Sequence, residues 1–278
     1  MKTKEIANEN INFERILSLA IELPGVRINR VNFLQKELSK YFGNDVAKQA
    51  IETTPAQAGI SVKELEKIAK ACINYETAKV TAISTAVGMP GGFTMAATVP
   101  ADIAQFFAHI IRILQKLIYL YGWQEMFSDD ENGFDDETNN QLILFIGVMF
   151  GVNAASTTIT KIAKVAALNA EKRLLQKALT KGTIYPIVKR VATIIGFKMT
   201  RDIFAKSIGK IIPVFGGMMS GGITFFGFMP MAKRLQKYLI DLPMARVEYC
   251  KCRHNNEDDI IDLDFSDIVV EDVVNFNE

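Results

Sequence analysis

Three stretches of this chain carry no charged residue: 80–101, 138–160 and 211–232. Each has at least the ~20 residues that a helix needs to cross a hydrocarbon core. Each must therefore lie either in a membrane or inside a helical fold. Each also holds a glycine pair at i, i+4: Gly88 with Gly92, Gly147 with Gly151, and Gly217 with Gly221. Small residues at that spacing let two helix backbones approach closely, in lipid or in a soluble core. In 211–232, "IIPVFGGMMSGGITFFGFMPMA", the residues Gly217, Ser220, Gly221, Thr224 and Gly227 form a nearly flat helical face. Glycine inside a helix costs up to ~1 kcal/mol relative to alanine. Close contact with a second backbone offsets that cost, and exposure to lipid tails does not. The expectation is a buried hairpin packed against 88–101 or 147–151.

The rest of the chain reads as helix. "NRVNFLQKELSKYFG" offers Asn29 as an N-cap and Gly43 as a stop, with Leu34, Leu38, Tyr41 and Phe42 on one face. "SVKELEKIAKACINYETAKV" opens with Ser61 and Glu64 at capping-box spacing. Its buried stripe is Leu65, Ile68, Ala69, Cys72 and Ile73. Further helices are expected near 101–126, 138–180, 186–197 and 201–240. "LPGVR" at 23–27 and the acidic run 127–140 read as loops. Strand patterns are scarce, so the fold class is all-α: a multi-helix bundle with buried Gly-rich helical hairpins. It is expected to fill 1–242 as one domain, followed by an acidic extension over 243–278, flexible or docked.

Charge is divided unevenly. Of 31 acidic residues, nine lie in 255–278, which has no Lys or Arg; the remaining 22 face 32 basic residues, an excess of ten in the body. The basic residues are dispersed through amphipathic stretches, which reads as a solvated surface. Nucleic-acid motifs are absent, and no nucleic-acid partner is expected. Three cysteines are too few for a disulfide framework and point to a reducing compartment. The N-terminus lacks the apolar core of a signal peptide.

No catalytic constellation stands out. Asp102, Gln105, His109, Arg112 and Lys116 follow one another at steps of three and four, a polar stripe opposite Ile103, Phe106, Phe107, Ile110, Ile111 and Leu114. It reads either as an Asp102–His109–Arg112 site for an anionic ligand or as the wet face of an amphipathic helix whose N-terminus Asp102 favours. "CKCRH" supplies Cys250, Cys252 and His254, short of the four ligands of a structural zinc site. The run around Gly133 nearly fits a calcium loop, but Ser128 and Asn139 replace the expected Asp and bidentate Glu. No metal and no cofactor is expected.

Several runs resemble the EcsC protein family: "LPGVRINRVNFLQKEL", the central region 58–123 with Ala101–Asp102, Arg112 and Tyr121–Gly122, and "KIIPVFGGMMSGGITFFGFMPMAKRLQKYL" at 210–239. The resemblance covers nearly all of 15–240; the acidic turn at 127–140 and the chain after about 243 match no pattern of that family. It implies a bacterial, mostly helical, membrane-associated protein, and brings no catalytic residues with it. The expected function is a non-catalytic helical interaction protein, cytoplasmic and peripheral at the inner face of the cell membrane or bound to a membrane transport complex. Two alternatives are a protein that inserts Gly-rich hairpins into membranes, and a small-ligand binder or enzyme using Asp102, His109 and Arg112.

Overall fold

From Phe107 to Tyr121 the chain is buried on nearly every side of a helix, including Ile110, Ile111, Ile113, Leu114, Leu117 and Ile118. A helix buried on nearly every side belongs in an interior, and the other helices pack around this one. The computed structural model describes residues 13–87, 95–127, 135–168, 184–198 and 219–246. Among these residues there are eight α-helices and no strand. The helices are α1 (Phe13–Glu22), α2 (Arg30–Glu52), α3 (Val62–Val87), α4 (Met95–Leu120), α5 (Asp136–Met149), α6 (Asn153–Leu168), α7 (Tyr185–Lys198) and α8 (Met219–Ile240). A 3-10 turn, Pro243–Ala245, follows α8, buried and packed against α6. The inner helix α4 touches α1, α2, α3, α5 and α8. Its segment Ile103–Leu120 is the one stretch among the described residues long and apolar enough to cross a membrane, and 72% of it is buried.

Local signals set several boundaries. Asn29 caps α2 by accepting from the Asn32 amide, 2.9 Å. The box at α3 closes in both directions: Ser61 N donates to Glu64 Oε2 at 2.9 Å, and Glu64 N to Ser61 Oγ at 3.4 Å. Leu65, Ile68, Ala69, Cys72 and Ile73 are all buried, as their spacing predicts. Gly43 interrupts α2 with φ 80° and ψ 174°, a backbone region that essentially only glycine occupies. The helix then resumes, so Gly43 is a break and not an end. Tyr41, expected on the apolar face, is 57% exposed.

The charge-free segments divide. Segment 80–101 holds the end of α3 and the start of α4, with 88–94 outside the described residues. Segment 138–160 is two helices, not one span. Helix α5 stops at Phe150 because Gly151 turns left-handed (φ 75°). Gly151 N then donates to Val148 O (3.0 Å) and Val152 N to Gly147 O (2.9 Å), the paired bonds of a Schellman stop. From 219 onward segment 211–232 is one helix that continues through Lys233 to Ile240. Among the described residues, a Cβ placed on Gly227 would meet nothing within 4 Å, so no described backbone lies against that glycine.

Helix α8 runs antiparallel to α3. Gln236, near its end, donates to Glu66 O near the start of α3 (3.4 Å). The two helices pack extensively, which from that crossing point only opposite directions allow. Arg234 Nη1 donates to Met149 O (2.5 Å) and Tyr238 Oη to Ser156 O (2.7 Å), tying α8 to the α5–α6 turn.

Candidate functional site

The buried stripe of α3 continues beyond Ile73 to a residue that is not apolar. Glu76 is fully buried. A lone carboxylate there would be costly, and α4 supplies the compensation. Lys116 Nζ lies 2.6 Å from Glu76 Oε1, Arg112 Nη2 3.3 Å from the same oxygen and Arg112 Nε 3.5 Å from Oε2. His109 Nδ1 is 3.9 Å from Oε2, beyond hydrogen-bond distance, and is buried with no hydrogen-bond partner. Burial would raise the Glu76 carboxyl; His109, Lys116 and Arg112 outweigh it and hold the carboxyl well below the usual carboxylate range.

The same face of α4 holds the loop between α1 and α2. Arg112 Nη1 donates to Gly25 O. Gln115 Nε2 donates to Val26 O (2.8 Å) and its Oε1 accepts from Ile28 N (2.8 Å). Lys116 also lies 5.4 Å from the centroid of the Tyr75 ring. From His109 to Lys116 the stripe is therefore not a wet helix face: His109 is buried, and the Arg112 and Lys116 side chains are 19% and 13% exposed, while Gln105 is half-buried. One turn before Glu76, burial pushes the Cys72 thiol up to about 11.

A second buried ion sits at the other end of the loop. Arg30 donates to four carbonyls: Trp123 (3.0 Å), Ile51 (2.9 Å), Ala50 (3.4 Å) and Thr53 (3.3 Å). Three of them belong to the C-terminal end of α2, where a cation offsets the helix dipole. The Arg30 amide donates to Glu125 Oε2 (2.7 Å), whose other oxygen accepts from Tyr119 Oη (2.9 Å). Burial lowers the Arg30 guanidinium, against Glu125 and Tyr119, which raise it.

The sequence-level candidates fall as follows. His109 and Arg112 meet at Glu76. Asp102 is the eighth residue of α4, not its N-terminus, about 10 Å along the axis before His109; its surroundings lie outside the described residues. Gly147 faces α7 and α6: an added Cβ would sit 2.6 Å from Val191 Cγ1 and 2.7 Å from Ala155 Cβ. Gly151 serves the turn, with Arg234 against it. Gly88, Gly92, Gly217, Cys250, Cys252, His254 and Ser128 lie outside the described residues, as do the surroundings of Gly221. Among the described residues no three His, Cys, Asp or Glu side chains gather as a metal set would require.

Chemically, the Glu76 carboxylate is held ionised by the cations around it, so Glu76 itself offers no proton near neutral pH. Glu76 and Arg30 were not singled out from the sequence. The signal for Glu76 was the stripe itself, which three residues beyond Ile73 lands on an acid. Compared with family models, with curated proteins and with solved structures, the chain matches none.

Proposed function

We propose that this chain is a non-catalytic helical interaction protein that acts at a membrane surface or on a membrane transport complex, in keeping with its resemblance to the EcsC family. The observation that carries this reading is the burial of its span-length apolar segment. Ile103–Leu120 is the inner helix of the bundle, so its apolarity is used in packing. Contact with a membrane then falls to charged residues, and the excess of ten basic residues over 1–254 suits an anionic surface. Catalysis has no support in the buried ions, which are engaged with one another and with backbone carbonyls.

Flotation of the purified protein with anionic and with zwitterionic vesicles tests it. The expected result is co-flotation with anionic vesicles alone, reversed by high salt and by carbonate. Equal binding to both, or none to either, would sink the reading. Hairpin insertion, the competing reading, requires α3 and α4 to separate at Glu76, and predicts dye leakage that salt does not reverse.

A further inference from the structure

We propose that the acidic segment 255–278 docks in cis on a lysine-bearing face built by α3 and α8, and that it competes there with anionic surfaces. On α3, Lys63, Lys67 and Lys70 follow at steps of four and three on the side away from the core. On α8, Lys233 and Lys237 stand one turn apart, also exposed. None of the five has an ion pair or hydrogen bond among the described residues. Because the helices are antiparallel and cross at Gln236 and Glu66, Lys237 lies beside the first turns of α3 and Lys233 one turn further along. The two rows thus flank one groove. The described acids nearest to them in sequence are Glu64, held by Ser61 and drawn on by Lys67, Glu66, and Asp241, which pairs with Arg246.

The occupant is chosen by complementarity and by reach. Residues 255–278 carry nine acids and no base, the reverse of the groove. The last described residue lies at the same end: Arg246 Nη2 is 3.4 Å from Asp241 Oδ1, and Asp241 follows Lys237 by four residues. Eight residues, the length of 247–254, can reach at most ~27 Å at ~3.4 Å each, while Lys63 to Lys70 span only ~10 Å of helix. A tether of that length raises the effective concentration of the acids at the groove to the millimolar range, about what five weak surface pairs need. The docking stands independently of the membrane reading; the competition rests on it.

Carbodiimide cross-linking of the full-length protein, which joins carboxylates to amines in contact, tests the docking. A mixture of light and heavy isotope-labelled copies separates cis from trans. The expected links join acids within 257–272 to Lys63, Lys67, Lys70, Lys233 and Lys237 within one copy. They fall several-fold at about 1 M salt, where the Debye length is ~3 Å. Links between differently labelled copies, links spread evenly over Lys36, Lys48 and Lys189, or no links at all would overturn the proposal. For the competition, replacing the acids of 257–272 by Asn and Gln should raise flotation with phosphatidylserine vesicles several-fold, and Lys→Gln at all five lysines should lower it. Unchanged flotation in both variants, with the wild type binding, overturns competition. Cross-links intact in a protein that binds no vesicle would sink the membrane reading and leave the docking standing.

Discussion

Lys116 Nζ stands 2.6 Å from Glu76 Oε1, joining a cation on the inner helix to a carboxylate buried completely on its neighbour. Arg112 completes the set and reaches on to Gly25. One acid therefore holds α3, α4 and the α1–α2 loop in register.

Removing that acid leaves two cations in a site shaped for three partners. Glu76→Gln is expected to destabilise the protein by about 3–5 kcal/mol, the usual cost of breaking a buried pair from one side. Urea unfolding followed by circular dichroism measures it. A loss below about 1 kcal/mol would mean that the pair behaves like an exposed one.

The same carboxylate shapes the response to acid. Its folded-state titration lies below the unfolded value of ~4.3. The unfolded chain therefore takes up the proton first. The stabilisation is complete above that value and is lost as pH falls through it toward the folded one. Melting temperature should drop more steeply below about pH 4.3 in the wild type than in Glu76→Gln. Parallel curves would place the acid sensitivity elsewhere.

Two glycines should respond oppositely to alanine. At Gly147 a methyl group would stand 2.6 Å from Val191 and 2.7 Å from Ala155, and overpacking of this kind costs about 1–3 kcal/mol. At Gly227, inside α8, a methyl group would meet no described residue within 4 Å, and the gain in helix propensity is about 0.5–1 kcal/mol. Thermal unfolding of both variants decides, and a reversed order would refute the packing described around α5.

Arg30→Lys keeps the charge and should still destabilise by about 2 kcal/mol or more, because one ammonium cannot reach the carbonyls of Ala50, Ile51, Thr53 and Trp123 at once. Hydrogen exchange at the end of α2 should accelerate alongside the loss of stability.

Cys72 is 7% exposed and its thiol is pushed up to about 11 by burial. In the native protein at pH 8 it should resist iodoacetamide, and it should react readily once unfolded. Peptide mapping after labelling reads the difference; rapid native labelling would show that α3 opens.

Much of the helical plan was legible because its causes are local. Asn29 and the Ser61–Glu64 box act within one turn, and the stripe Leu65–Ile73 follows from helical period alone. The break at Phe150 has no signal in the spacing: Gly151 reads as one of a packing pair, whereas it makes the left-handed turn with the Arg234 guanidinium against it, and Gly147 meets Val191 and Ala155. A glycine chosen for its backbone angle and one chosen for its lack of a side chain look the same in a sequence. The polar stripe of α4 was visible too, yet its meaning depended on which helix faced it.

The sequence by itself determined the all-α fold class, its main caps and the opposition of a basic body to an acidic end. These rest on periodicity, capping and charge counts, which need no neighbour. Tertiary structure alone decided that the apolar run of α4 is an inner helix, that His109, Arg112 and Lys116 surround a carboxylate from α3, and that Arg30 closes the end of α2. Those outcomes depend on contacts between residues 20 to 95 positions apart. Desolvation by the whole bundle makes each such pairing obligatory, and no local pattern records it.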